Sequence, residues 1–176
     1  FFAAAAISGG RVRVDNISID SAQGDIHFVD VLEKMGCTVG RYADAIEVIG
    51  PSTLKAVEVD MKEISDTSLT RAAIAPFAEG PVTIRNIEHT RWQETDRIRA
   101  MTTELRKLGV EVVERRDGVT ISPSKISPAA IDTYEDHRMA MSFSLVGLRA
   151  PGIRINNPAC VSKTFPSYFE VLASLH

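Results

Sequence analysis

Six side chains in this sequence have the types and placement to do chemistry: Asp66, Glu94, Arg97, Asp136, Arg138 and Lys163. Each stands at the opening of an apolar or amphipathic run. Asp66 lies in EISDTSLT, Glu94 and Arg97 in QETDR, Asp136 and Arg138 in TYEDHRMAM, and Lys163 in VSKTFP. A helix start presents unbonded amides and the positive end of a dipole, so it attracts anions. Arginine forks and a lysine beside such ends would complete a site for phosphate or carboxylate. Asp66 and Glu94, standing among those cations, are candidate acid and base. The ligand such a rim suits is a small molecule carrying both phosphate and carboxylate.

Each residue also has a plainer role open to it. Asp66 and Asp136 are placed to cap the helices that follow them. Glu94 and Arg97 have the spacing of a surface ion pair, worth a few tenths of a kcal/mol. Lys163 alone reads as a solvated lysine. Arg138 resists such a reading, because it lies one residue inside a very apolar run where an unpaired guanidinium would be costly. The chemical reading requires that the chain bring these distant positions to one side of the molecule.

The elements that would do so recur along the chain. ISGGRVRVDNI resembles FAEGPVTIRNI, and both resemble RAPGIRINNP, with Gly10, Gly80 and Gly152 roughly seventy residues apart. Downstream, VLEKMGCTV matches ELRKLGVEV and DAIEV matches DGVTI, each pair reading as an amphipathic helix stopped by glycine and then a β-hairpin. In RIRAMTTELRKLG, Ile98, Met101, Leu105 and Leu108 keep helical spacing on one stripe. FFAAAAI, LTRAAIAPFAEG and HRMAMSFSLVGL are apolar nearly all round and must be enclosed by other elements. KAVEVD reads as a further strand leading into the second of these. The expected class is α/β, built of repeated βαβαββ units. The third copy is incomplete: SYFEVLASLH aligns with HFVDVLEKMG, and the hairpin that should follow is missing. A closed three-unit domain would need strands from elsewhere.

Composition narrows the function classes. The chain has 176 residues, 44% hydrophobic and 24% charged, with a formal charge of -3. That describes an ordinary globular domain and disfavours a nucleic-acid binder, which rests on a basic face. No apolar stretch reaches membrane-span length, so no membrane partner is expected. Cys37 and Cys160 lack metal-ligand spacing and read as reduced thiols in a cytoplasmic protein. FFAAAAISGG reads as the interior of an apolar helix rather than a signal peptide, so the chain is expected to be part of a longer polypeptide.

NIEHTRWQETDRIRAMTTELRKLG, DHRMAMSFSLVGL and CVSKTFPSYFEVL, in this order, resemble the C-terminal half of the 5-enolpyruvylshikimate 3-phosphate synthase family. The likeness runs over essentially all of residues 1–176. It implies two similar domains, each of three βαβαββ units about a pseudo-threefold axis, with the active site in the cleft between them. This chain would be one discontinuous domain, lacking the N-terminal strands that complete it and the partner domain of the same polypeptide. The implied substrates are phosphoenolpyruvate and shikimate 3-phosphate, with no metal or organic cofactor. By motif, Asp66 would accept the 5-hydroxyl proton, and Glu94 and Lys163 would exchange a proton at the methylene carbon. Arg97, Arg138 and Lys163 would hold the phosphoenolpyruvate anion, with His137 bordering the pocket. Two positions depart from the family pattern at contacts to shikimate 3-phosphate: Gln93 where many members have lysine, and His89 where many have asparagine. His89 also reads as a plain surface histidine.

Two rivals stand beside this reading. UDP-N-acetylglucosamine enolpyruvyl transferase shares the fold and donor, although DHRMAM followed by KTFP favours the shikimate enzyme. A non-catalytic or RNA-binding module of βαβαββ units is opposed by the net acidity and by the lack of aromatics interleaved with basic residues.

Overall fold

The computed structural model describes residues 1–175; His176, the last residue of SYFEVLASLH, lies outside the described residues. The elements run α1 (Phe2–Ser8), β1 (Arg11–Asp15), α2 (Phe28–Lys34), β2 (Thr38–Arg41), β3 (Ala45–Ile49), β4 (Glu58–Asp60), α3 (Ser68–Ile74) and β5 (Val82–Arg85). There follow α4 (Arg97–Lys107), β6 (Val112–Arg115), β7 (Gly118–Ile121), β8 (Ala130–Ile131), α5 (His137–Ser144), β9 (Arg154–Ile155) and α6 (Tyr168–Ser174). The class is mixed α/β, as expected.

The strands form sheets of order β1-β3-β2, β4-β5-β7-β6 and β8-β9. Both hairpins foreseen in the sequence are present and antiparallel, with Val39 opposite Val48 and Val113 opposite Thr120. In each case the strand before the amphipathic helix pairs antiparallel with the second hairpin strand, β1 on β3 and β5 on β7. β4 lies parallel to β5, and β8 lies parallel to β9 in the same way. KAVEVD contributes only its last three residues to β4.

The likeness between units extends to single hydrogen bonds. α2 and α4 both stop at a glycine in the left-handed region, Gly36 (φ 100) and Gly109 (φ 80), a conformation that suits glycine at a helix end. The next amide reaches back in each, Cys37 to the Leu32 carbonyl and Val110 to the Leu105 carbonyl, both at 3.0 Å. After β1, β5 and β9 the chain turns on an asparagine of positive φ, Asn16 (59°), Asn86 (61°) and Asn157 (48°). Asparagine tolerates that conformation better than other residues with a side chain.

The core lies between sheets and helices. α3 packs against both α1 and α5. Ala3 to Ala6 and Ile7 of α1, Leu69, Ala72, Ala73 and Ile74 of α3, and Met139, Ala140 and Phe143 of α5 are all buried. The three all-round apolar segments are therefore the enclosed helices, as their composition demands. α4 buries Ile98, Met101 and Leu105. Cys37 is buried, and burial pushes its thiol up to about 11; Cys160 is half-buried, and both are free. Among the described residues, no helix is long and apolar enough to cross a membrane.

One enclosed residue does not fit its surroundings. Arg71 in α3 is fully buried; its Nη2 donates to the Val57 carbonyl at 2.7 Å, while Nε and Nη1 have no partner among the described residues. Burial pushes its pKa down to about 10. The Val57 carbonyl already accepts from the Thr83 amide at 3.1 Å, so it stays bonded without the arginine. A buried cation lacking a counter-ion costs more than an apolar side chain of similar length. Arg71→Met is therefore expected to stabilise the chain by on the order of 1 kcal/mol, read as a higher urea midpoint. A lower midpoint would show that the guanidinium has a favourable partner.

Candidate active site

Arg97 is the centre of the polar cluster. It is the first residue of α4, and its side chain is only 1% exposed. Its Nε donates to Asp136 Oδ2 at 2.8 Å, Nη1 to Asp66 Oδ1 at 2.9 Å and to Gln93 Oε1 at 2.5 Å, and Nη2 to Glu94 Oε2 at 2.9 Å. The Glu94–Arg97 pair exists, but it is not the surface pair its spacing suggested. The arginine faces inward and is held from three segments.

Asp136 does two jobs with one carboxylate. It is fully buried with an extended backbone, and its Oδ1 accepts the Arg138 amide at 2.8 Å to cap α5. The other oxygen bonds Arg97. Capping and ion pairing thus coincide, and the α5 start is fixed to the α4 start.

Asp66 does not cap α3. The helix begins at Ser68 as a continuation of a 3-10 turn, Lys62–Thr67, and Thr67 already has near-helical backbone angles. A helix that grows out of a preceding turn has its first amides engaged by that turn, leaving no cap for Asp66 to fill. Its carboxylate bridges two arginines instead, accepting from Arg97 and, through Oδ2, from Arg138 Nη2 at 2.6 Å. The apolar helix tolerates Arg138 because its guanidinium leaves the core to meet Asp66.

QETDR does not open the helix as a whole. Asp96 is the cap, accepting the Arg99 amide at 3.0 Å, and only Arg97 of that motif is helical. Gln93 and Glu94 precede it in a bend whose geometry aims both side chains back at Arg97. Glu94 Oε1 lies 3.7 Å from Lys163 Nζ, at the end of a 3-10 turn, Pro158–Lys163. The Lys163 side chain is 65% exposed and is the most accessible cation of the group.

Electrostatics follow from these contacts. The Glu94 carboxyl is held below its usual range, first by its own backbone amide and then, against some burial, by Arg97, Lys163 and His137. His137 is buried with Nδ1 3.9 Å from Asp136 Oδ1 and no hydrogen bond to that nitrogen among the described residues. Burial lowers its pKa, with Asp136 opposing. The imidazole is thereby biased toward its neutral form.

His89 stands apart from the ion pairs. It sits in a 3-10 turn, Glu88–Trp92, and its Nε2 is 2.8 Å from Ser65 Oγ, the residue before Asp66. With Lys62, Asn86, Glu88, Trp92 and Asp117 it lines an open cavity of about 530 Å³. Asp25 is a member of the neighbourhood that sequence reasoning missed. Its turn, Gly24–His27, packs against Lys62–Thr67, with the Gly24 Cα so close that an added Cβ would lie 3.2 Å from the Glu63 carbonyl oxygen. Burial raises the Asp25 pKa, the Asp66 charge adds to that, and Arg138 opposes it. Nothing in the local sequence signals this, because the encounter is tertiary.

Comparison with known proteins shows the family and the fold. Residues 1–172 match the family model of EPSP synthase (3-phosphoshikimate 1-carboxyvinyltransferase). A 3-phosphoshikimate 1-carboxyvinyltransferase of Nostoc sp. is 57% identical over 169 residues, covering 96% of this chain and 40% of the relative. One from Aeromonas salmonicida is 53% identical, covering 99% of this chain and 41% of the relative. The solved EPSP synthase of Acinetobacter baumannii superposes with a TM-score of 0.86 at 27% identity, over 98% of this chain and 43% of that one. The enolpyruvyl transferase NikO of Streptomyces tendae, at 24% identity and a TM-score of 0.75, shares the fold. The chain thus spans about two fifths of the length of the curated relatives it matches.

Removing Asp136 tests the cluster directly. Asp136→Ala leaves Arg97 short of its most buried partner and α5 without its cap, and a loss of about 3 kcal/mol or more in denaturant unfolding is expected. Asp136→Asn keeps a capping oxygen and should lose less. Near-wild-type stability of the alanine variant would mean that the ion pairs do not hold these elements together.

Proposed function

This chain belongs to the EPSP synthase (3-phosphoshikimate 1-carboxyvinyltransferase) family, and from that premise we propose that it forms one wall of an active site transferring the enolpyruvyl group of phosphoenolpyruvate to the 5-hydroxyl of shikimate 3-phosphate. The observation that carries the proposal is the meeting of Asp66, Glu94, Arg97, Arg138 and Lys163, drawn from four segments, at ion-pair distances.

The reaction needs a base at the acceptor hydroxyl and proton exchange at the donor's methylene carbon. The 5-oxygen bonds to the central carbon of phosphoenolpyruvate as its proton leaves to Asp66, and the methylene carbon takes a proton from Lys163. The tetrahedral adduct then breaks its bond to phosphate and returns a proton from the methyl group. Glu94, kept ionised by its own amide and by Arg97 and Lys163, suits the acceptor role in that last step, with Lys163 beside it. Arg138 and Lys163 are exposed enough to meet the donor's phosphate and carboxylate. Four of the five Arg97 N–H groups are engaged with protein oxygens, so Arg97 would meet the ligand through its second Nη2 hydrogen or by exchanging Glu94 or Asp66. Gln93 and His89 border the acceptor side, where a neutral amide and an imidazole replace the family's common pattern.

The cluster's charges support a second wall. Asp66, Glu94 and Asp136 face Arg97, Arg138 and Lys163, so carboxylates and cations cancel. Two multiply charged anions need further cations, which the proposed partner domain of the same polypeptide would bring across the cleft. The two-stranded β8–β9 sheet, set against the four strands of β4-β5-β7-β6, supports the reading that N-terminal strands of the longer polypeptide complete a third unit. Reduced thiols and this metabolic role favour a cytoplasmic setting.

The 176-residue chain alone is expected to show negligible turnover, because the substrates would lack half their contacts. Joined to the remaining segments of the Nostoc relative, it should yield enolpyruvyl product with shikimate 3-phosphate and none with UDP-N-acetylglucosamine; the reverse would favour the rival acceptor. In that assembled enzyme, Arg138→Ala should lower kcat/KM for phosphoenolpyruvate about a hundredfold with little change in unfolding. Unchanged kinetics would remove Arg138 from the site.

A further inference from the structure

The loop that delivers Asp136, His137 and Arg138 is strained. Tyr134 and Glu135 are consecutive residues in the left-handed region, with φ 52 and 58. For side chains other than glycine or asparagine this conformation is sterically disfavoured, and it persists only where neighbours over-determine it. The turn is closed locally by the Asp136 amide on the Thr133 carbonyl at 2.8 Å. That single bond spans the strained pair but ties the loop to nothing outside itself.

The tie comes from α4. Glu104 is fully buried, and its carboxylate accepts the Asp132 amide at 3.0 Å and the Tyr134 hydroxyl at 2.6 Å. Lys107, one turn on, lies 2.9 Å from Glu104 and 2.5 Å from Asp132. Asn156, just past β9, donates to the other Asp132 oxygen at 2.7 Å. The Tyr134 phenol, pushed up to about 12 by burial and by the neighbouring carboxylate, remains a donor across the physiological range. A buried carboxylate that accepts two hydrogen bonds from one loop is a specific anchor: losing the Tyr134 hydroxyl leaves Oε1 to Lys107 alone, and losing the Asp132 amide leaves Oε2 without a partner among the described residues.

The anchor and the site share one rigid element. Arg97 and Glu104 are seven residues apart on α4, about 10 Å along the axis. The Thr133–Asp136 turn is therefore gripped at both ends by the same helix, by Glu104 through Asp132 and Tyr134, and by Arg97 through Asp136. We propose that Glu104 and Tyr134 are positioning residues for the active site, a latch that holds the strained turn so that Asp136 is presented to Arg97 and the α5 start to the cluster. The latch touches no ligand and acts only through Asp136. Its effect on turnover rests on the proposed function; its effect on the loop does not.

Tyr134→Phe and Glu104→Gln test it, the first removing a hydroxyl and the second removing the charge and one of the two acceptor oxygens. In the 176-residue chain, amide hydrogen exchange over residues 132–138 should quicken about tenfold or more in either variant while β5, β6 and β7 keep their rates. Unchanged exchange over that segment, or acceleration spread evenly through the chain, overturns the proposal. In the assembled enzyme, Tyr134→Phe should lower kcat about tenfold with KM within about twofold, and should add little once Asp136→Asn is present. Equal losses in both backgrounds would mean that the pair does not act through Asp136. The exchange measurement needs no turnover, so an inactive assembly would count against the reaction and leave the latch to be judged on its own.

Discussion

A buried guanidinium decides the arrangement of this molecule. Removing a cation such as Arg97 from water costs several kcal/mol, and that cost is offset only if good acceptors surround it. Here they come from the turn before α3, the bend before α4 and the cap of α5, so the charge is satisfied only when all three have docked. Such a cluster contributes little net stability compared with well-packed apolar groups. What it fixes is geometry: Asp66 lies between two arginines, and α5 cannot slide along α4 without unpairing a buried charge. Exposed pairs such as Arg116 with Glu88 have no comparable leverage, since water can replace either partner.

Much of the fold was legible because its signals are local. Glycine stops, the α4 stripe, two hairpins and the Asp136 cap each depend on residues within a few positions, and all are present where the sequence put them. The cluster was legible as a set of residues but not as a geometry. Asp66 was open to a capping role that a preceding 3-10 turn has pre-empted, and QETDR looked like a helix start although only its last residue is helical. Arg97 carried no mark of facing inward, because its orientation is set by Asp136, 39 positions away. Asp25 and Glu104 were overlooked for the same reason. An acidic residue on an amphipathic helix looks solvated until the loop that covers it is known.

The charge balance of the cluster also shapes its chemistry. Cations already paired with carboxylates are pre-positioned, which limits reorganisation when a ligand arrives. They are also partly neutralised, so an anion gains from them only by displacing an internal carboxylate or by arriving with further positive charge. In the proposed reading, that makes closure of a second wall over the ligand part of binding itself, and it leaves Asp66 and Glu94 free to take protons once their arginines turn toward the substrate.

The asparagine turns after β1, β5 and β9 carry an implication for how order arises. Each reverses the chain using its own backbone, and each helix stop is sealed by an amide five residues on, so the individual units can take shape early and separately. The ion pairs join positions 31, 39 and 72 residues apart. Native-like secondary structure can therefore precede the polar cluster, which forms only once those pieces have docked.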